Sequence, residues 1–302
     1  MKRRDALLLA TAAALLPAQA HAFTTEVAPG IHVRQGVHEE ATAANADAIA
    51  NIGFIVGDRS VAVVDPGGSK VDGERLRARI QAVTDRPISH VVMSHMHPDH
   101  VFGAVAFEAD RPVFVGHAGM AGMLVQRGEH YRNMLADLLG LDEAGDYAKP
   151  GLLVEDTARL DLGGRVLHVR AHATAHTDND LSVWDPATAT LWMADLLFVD
   201  RVPSLDGSIK GWLSQTQALR DTPARLAVPG HGPVSVPWPA AAAAQERYLD
   251  TLVREVRALI SRGGDMDWAV ATVGLGERER WMLFDEYNGR NVTLAFKELE
   301  WE

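Results

Sequence analysis

Short apolar runs alternate with one amphipathic stretch along the first third of the chain. Ile31 to Arg34, Asn51 to Val56 and Val61 to Asp65 are short and rich in Val and Ile, and the last two flank a Gly57-Asp58 turn, so each predicts a strand. Pro66-Gly67-Gly68 ends that pattern. From Val71 to Thr84 the period changes: Val71, Leu76, Ile80 and Val83 share one side of a helix, with Glu74, Arg75, Arg77 and Arg79 elsewhere. Ile88 to Met93 and Val113 to Val115 predict two further strands, with a short helix over Phe102 to Phe107 between them. Residues 118–141 are rich in Met, Leu and Arg, lack a strand pattern and predict a helix, followed by a loop from Gly140 to Pro150. This excursion is either a lid or wall over a pocket or a plain surface hairpin of helices.

The strand pattern returns at Val166 to Ala171, Leu181 to Trp184, Leu191 to Met193 and Arg225 to Val228, and residues 240–262 and 277–300 read as amphipathic helices. No repeat of fixed period is present, and no linker forces a division into domains. Strands and helices alternating in two halves predict sheets covered by helices, with function in loops at the strand ends.

Composition narrows the chemistry. A chain of 302 residues, 47% hydrophobic and 23% charged, is long enough for one large globular domain. It has no cysteine, which excludes disulfides, thiolate metal sites and a Cys nucleophile together. Met1-Lys2-Arg3-Arg4, the apolar run Ala6 to Leu16 and Ala20-His21-Ala22 have the order of a secretory signal peptide over residues 1–22, and Arg3-Arg4 also fits the twin-arginine type. That reading places the mature protein in the periplasm. The apolar run is shorter than the ~20 residues a membrane span needs, and no later segment is apolar enough to cross. The net charge is −11, and the leader carries Lys2, Arg3 and Arg4 against Asp5, so its removal leaves a still more acidic chain. Such a surface repels polyanions, so nucleic acid is not an expected partner.

The densest chemistry is Ser94-His95-Met96-His97-Pro98-Asp99-His100, directly after the strand predicted at Ile88 to Met93. Imidazole and carboxylate suit zinc and its first-row neighbours. His95 and His97, two apart on an extended segment, point the same way and can share one ion. Asp99 and His100 can reach a second, and binuclear hydrolytic sites hold their metals about 3.5–4 Å apart. Further ligands must come from elsewhere. His176, Asp195 and His231 each sit just past a predicted strand, at a strand-to-loop junction. His172, four residues before His176, is an alternative ligand. His117 is a further pocket-lining candidate, His90 reads as structural, and Asn179 and Asp180 as buttresses of the His176 loop.

The order His-x-His-x-Asp-His, then His176, Asp195 and His231, resembles the metallo-β-lactamase superfamily, as does Asp65 followed by Pro66-Gly67. The resemblance runs from about Asn51 to His231. It implies an α/β fold, a four-layer αββα sandwich in a single domain over residues 23–302, with a helical insertion around 117–150 and C-terminal helices. It implies two Zn²⁺ ions at one edge of the sheets. His95, His97 and His176 would hold the first and Asp99, His100 and His231 the second, with Asp195 and a hydroxide bridging them. Asp99 would also orient the nucleophile, and Asp65 would support the ligand loop. The expected activity is hydrolysis of a small ester, thioester, lactone or β-lactam.

The commonest β-lactamases of this superfamily have a cysteine where this chain has Asp195. An aspartate there resembles the glyoxalase II-like and SoxH-like branch. Asn51 to Gly57, His95 to Gly103 and Ala175 to Leu181 are similar to the exported quinoprotein relay system zinc metallohydrolases, which implies a quinoprotein dehydrogenase partner. Two rival readings share the scaffold: a mononuclear iron oxygenase of the persulfide dioxygenase kind, and a non-catalytic metal-binding accessory protein.

Overall fold

The computed structural model describes residues 23–302, so the leader read at residues 1–22 lies outside it. The first sheet contains, in spatial order, β1 (Thr25–Ala28), β2 (Ile31–Arg34), β3 (Ile52–Val56), β4 (Val61–Val64), β5 (Ile88–Val92), β6 (Val113–His117) and β7 (Leu152–Val154). The second contains β8 (Thr157–Asp161), β9 (Val166–Ala171), β10 (Leu181–Asp185), β11 (Thr190–Phe198), β12 (Leu226–His231) and β13 (Val236–Pro237), again adjacent in sequence order. The helices are α1 (Lys70–Val83), α2 (Pro98–Val101), α3 (Met120–Leu139), α4 (Leu141–Ala144), α5 (Ile209–Leu219), α6 (Ala242–Ile260), α7 (Met266–Thr272) and α8 (Phe284–Leu299), with 3₁₀ turns at Phe102–Asp110 and Leu275–Arg280.

Alternation along the strands builds the layers, because successive side chains leave a strand on opposite faces. In the first sheet Ile55, Ala62, Val64, Val92 and Val115 point inward, where they meet Leu167, Val169, Leu181, Val183 and Val228 of the second. Their neighbours Phe54, Val61, Val63 and Val91 point outward and pack on Leu76 and Ile80 of α1. Leu191, Met193 and Ala227 leave the other face of the second sheet and pack on Trp212 of α5, Tyr248 and Leu252 of α6 and Phe296 of α8. The result is the expected four-layer α/β sandwich, helices outside and two sheets within. Strands β4 to β7 run parallel, as do β11 and β12. The C-terminal ends of β5, β11 and β12 therefore become places where loops can converge.

Several elements differ from the sequence reading. Helix α5 has no counterpart there, although Ser208 caps it and its buried Ile209, Trp212, Thr216 and Leu219 have helical spacing. Strands β7 and β8 are also additional; both are mostly half-exposed, with only Val154 and Leu160 buried, too little apolar signal for a strand pattern. The helix expected over 277–300 is broken. Leu283 takes a left-handed φ of 57°, and Met282 bridges to Arg201, so α8 starts only at Phe284. The Gly140 to Pro150 loop contains the single turn α4. The excursion of residues 118–141 is not a free hairpin: Met120, Leu124 and Leu135 of α3 pack on Met96, Val101 and Phe102, directly beneath the His-rich run.

Candidate metal centre

Local structure explains how each side chain is aimed. His95 and His97 follow β5, His97 in extended backbone, and Pro98 at the first position of α2 turns the chain, so that Asp99 and His100 leave in a new direction. His176 lies in the β9–β10 loop and His231 is the last residue of β12. Asp195 lies inside β11 rather than past it, because that strand runs on to Phe198. The register breaks at Ala194, whose φ is 46°, and pairing resumes with Phe198 opposite His231. A bulge of this kind re-aims the next side chain, here Asp195. Gly230 makes the room: a Cβ there would lie 1.9 Å from Asp195 Oδ1.

All seven side chains converge. His95, His97, His176 and Asp195 form one group and Asp99, His100 and His231 another, with the donor atoms of each within 4.8 Å of one another. In the first, His97 Nδ1 is 3.0 Å from both His95 Nε2 and His176 Nε2, and Asp195 Oδ2 is 3.3 Å from His176 Nε2 and 3.8 Å from His95 Nε2. In the second, Asp99 Oδ2 is 3.4 Å from His231 Nε2 and 3.6 Å from His100 Nε2. Asp195 belongs to both, since its Oδ1 is 3.0 Å from His100 Nε2 and its Oδ2 is 3.5 Å from His231 Nε2. A tetrahedral ion with bonds of about 2.0–2.1 Å separates its donors by roughly 3.3 Å, and the observed distances cluster around that value. His100 Nε2 and Asp195 Oδ1 are buried, face each other and have no hydrogen-bond partner among the described residues. Buried polar atoms are rarely left so; a shared cation satisfies both.

The outer nitrogen of every imidazole is tied down. His176 Nδ1 donates to the Ser204 carbonyl at 2.6 Å and His231 Nδ1 to the Ile49 carbonyl at 2.9 Å. His100 Nδ1 donates to Asp65 Oδ2 at 2.8 Å, and His95 Nδ1 donates to Ser94 Oγ at 3.0 Å, which in turn donates to Asp65 Oδ2 at 3.0 Å. His97 is reversed: its Nε2 donates to Asp206 Oδ2 at 3.0 Å. Carbonyls and carboxylates only accept, so each bond fixes the proton outward and leaves an inward lone pair. Asp65 thus serves both donor groups. Asn51 braces the His231 loop, its side-chain amide donating to the Pro229 carbonyl at 2.9 Å.

The electrostatics suit cation binding. Burial, aided by His100, holds His95 well below the ordinary imidazole range, and burial brings His176 down to about 4, so both offer neutral nitrogens. Burial opposes ionisation of Asp195 and Asp99, yet the neighbouring His231 and His100 hold both carboxyls low. Burial likewise opposes protonation of His100, but Asp195, Asp99 and Asp65 outweigh it and push its imidazole well above the ordinary range. The residues therefore fit a pair of divalent cations, and Asp and His with no thiolate suit zinc or a first-row neighbour.

The other readings resolve as follows. His172, the alternative to His176, has both nitrogens engaged, with Ser182 Oγ at 2.8 Å and Gln215 Oε1 at 3.1 Å. His117 accepts from the Gly119 amide and is not part of the cleft wall. Asp180 buttresses the His176 loop, accepting from the Thr177 amide and hydroxyl at 2.9 and 2.6 Å. Absent from the sequence reading are Asp206, Arg127, Arg201, Tyr287 and Arg290, which line the cleft in front of the donors. Arg127 on α3 pairs with Asp206 and through it with His97. The excursion is therefore a wall of the site. Burial opposes ionisation of Asp206, but His97 and Arg127 hold its carboxyl down at about 2.

A profile of the Metallo-beta-lactamase superfamily matches residues 46–231, which contain all seven donors. A linear primary-alkylsulfatase of Pseudomonas sp. (strain ATCC 19151) is 23% identical over 212 residues, 57% of this chain and 40% of that protein. Among solved structures, the stereoselective inverting sec-alkylsulfatase Pisa1 from Pseudomonas sp. superposes with a TM-score of 0.68 at 17% identity, over 91% of this chain and 50% of that one. A metallo-beta-lactamase from Pontibacter korlensis superposes with a TM-score of 0.60 at 18% identity, over 75% of this chain and 98% of that one. The chain spans half or less of the length of the two alkylsulfatases. Fold, donor order and profile agree: the chain belongs to the metallo-beta-lactamase superfamily.

Proposed function

We propose that the chain is an exported hydrolase that holds two zinc ions and cleaves a small ester, thioester, lactone or lactam. The two alkylsulfatase relatives add sulfate esters to that range. The observation that carries the reading is the pair of adjoining donor groups joined by Asp195. His95, His97 and His176 would hold one ion and Asp99, His100 and His231 the other, with Asp195 common to both. When bound, the ions supply a polarised substrate oxygen and a nucleophilic water at neutral pH. The protein's own part is to fix geometry and protonation. Asp65, Asp206 and the Ser204 and Ile49 carbonyls keep the imidazoles in one tautomer. Asp99 lines the cleft and orients the attacking water. Phe198, beside His176 and His231, gives that wall an apolar surface. A partnership with a quinoprotein dehydrogenase system is the accompanying proposal for its setting in the periplasm.

Metal content of the gently purified protein, followed by a chromogenic panel of carboxylic and sulfate esters, thioesters, lactones and lactams, tests the reading. Two ions per chain and chelator-sensitive turnover restored by zinc are expected. One iron with oxygen uptake would establish the oxygenase instead, and fully metallated protein inert across the panel would favour the accessory role.

A further inference from the structure

The cleft holds ≈ 250 Å³ in front of the donors, room for a small substrate. Three arginines reach it in a chain with 40 acidic against 29 basic residues: Arg127 from α3, Arg201 from the segment after β11 and Arg290 from α8. They differ in how they are compensated. Arg127 is paired with Asp206. Arg201 is only 3% exposed; it donates to the Tyr287 hydroxyl at 2.8 Å and the Glu39 carbonyl at 3.2 Å, and its Nε has no partner among the described residues. Its nearest carboxylate, Glu40 at 3.5 Å, is on a side chain 54% exposed and so heavily screened by water. Arg290 stands exposed at the rim with no ion pair among the described residues. Its guanidinium lies 6.0 Å from the centre of the Tyr287 ring, and that of Arg201 lies 5.2 Å from the same centre. Tyr287 is thus held between two cations, both facing the cleft.

The acids of the cleft do not cancel this charge. Asp99 and Asp195 face the donor groups, Asp206 is occupied by Arg127 and His97, Asp47 is 2% exposed, and Glu40, which also lines the cleft, is set against Arg201 and Tyr287, so none of them is paired with Arg290. Arg290 is therefore the one guanidinium of the cleft with no carboxylate set against it among the described residues. A planar guanidinium fork matches two oxygens of a sulfate, carboxylate or phosphate. We infer that the substrate carries an oxyanion group, received on the α8 wall by Arg290, with Tyr287 and the buried Arg201 setting the position of that wall. The inference rests on the hydrolytic reading and narrows its substrate class. Helix α8 lies beyond the segment matched by the superfamily profile, so the preference is set outside the part that carries the donors.

The test uses the metal-replete protein and three 4-nitrophenyl esters: the neutral acetate, the sulfate, with its anion at the scissile group, and the mono-glutarate, with its anion remote from it. At least one anionic ester is expected to exceed the acetate in kcat/KM, and which one does so identifies where the oxyanion lies. A hydrogen bond to a charged group is worth enough to change binding by about ten- to a hundred-fold. Arg290→Ala is therefore expected to lower the ratio of anionic to neutral kcat/KM about tenfold through KM, Arg290→Lys to recover part of it, and Arg290→Glu to reverse the preference. Calorimetric titration of the same proteins with glutarate and methyl sulfate reads binding without turnover. Weaker binding in Arg290→Ala, with neither these esters nor the wider panel of thioesters, lactones and lactams hydrolysed, would sustain the inference while removing the hydrolase. Hydrolysis of all three esters at ratios that Arg290→Ala and Arg290→Glu leave unchanged would overturn the inference and leave the hydrolase standing.

Discussion

The donor cradle and the helical walls in front of it are built on opposite terms. In the cradle every imidazole has one nitrogen committed to a fixed acceptor, and six of the seven donors are at most 9% exposed. The walls are made of long side chains that pair with one another or with water: Arg127 with Asp206, Arg201 with Tyr287, Arg290 over the Tyr287 ring. The cradle permits one arrangement of its seven donors. The walls can exchange residues without disturbing it, except where Asp206 joins them to His97 and where Arg201 Nη1 stands 3.5 Å from His231 Nδ1. Reaction chemistry and substrate choice are thereby lodged in separate parts of the chain.

The largest effect should come from the one carboxylate shared by both donor groups. Asp195→Ala removes a partner of His95, His176, His100 and His231 at once. Loss of both ions and background hydrolysis are expected, whereas Arg127→Ala on the wall should keep its metal. Elemental analysis of the two variants checks the contrast, and two ions retained in Asp195→Ala would dissolve it. Gly230→Ala reaches the same carboxylate without touching a donor: the added Cβ would stand 1.9 Å from Asp195 Oδ1 and 2.6 Å from the Ala194 carbonyl carbon. Backbone lies on one side, so the carboxylate must move. A folded protein with metal affinity reduced by the greater part of the Asp195→Ala effect is expected in a competition titration with a chromophoric chelator.

The supporting carboxylates come next. Asp65 accepts from the Ser94 amide and hydroxyl and from His100, and is fully buried; Asp206 is 19% exposed and holds His97 alone among the donors. Changing such a partner lowers metal affinity about 10–100-fold. Asp65→Asn should fall at the upper end and weaken both ions, Asp206→Asn at the lower end and weaken one. Stepwise zinc titration separates them, and equal losses for both ions in Asp206→Asn would place the cradle–wall junction elsewhere.

The same division decides what was legible in the sequence. His95, His97, Asp99 and His100 are close together in the chain, and His176 and His231 lie beyond or at the end of a strand, so residue type and position announced them; Asp195 was announced by its type, although it lies within β11 and not past a strand. Short apolar runs bounded by turns likewise announced both sheets' central members. Arg127 is one half-buried basic residue on a helix with several, and nothing in its sequence surroundings tells which way it faces. Asp206, Arg201, Tyr287 and Arg290 acquire meaning only when the β11–α5 segment and α8 meet across the cleft, a contact with no local pattern. The Ala194 bulge was invisible for a related reason: a left-handed alanine in an apolar strand is dictated by the pairing of β11 with β12, not by alanine. Ser208 and the spacing of Ile209, Trp212, Thr216 and Leu219 did signal α5.

His172 gives the finest test, since it lies four residues from a donor yet belongs to the packing and not to the cradle. Burial, partly offset by the bond to Gln215, holds its imidazole down at about 4, below the 6.5 of an unfolded chain. The native state therefore stays neutral at this position while the unfolded chain takes up a proton, so stability is full above pH 6.5 and falls as the pH drops toward 4, where the native imidazole also titrates. A difference of this size corresponds to roughly 3 kcal/mol at the acid end. Any loss of bound ions at acid pH is common to wild type and His172→Gln and cancels in their difference. Urea unfolding of both proteins, metal-replete, between pH 7.5 and 4.5 should show the variant less stable at neutral pH, where it loses packing with Ser182. The gap should then close as the pH falls. Zinc content should be the same in both. A variant that lost an ion would move His172 into the cradle, and a gap independent of pH would mean that water reaches the ring.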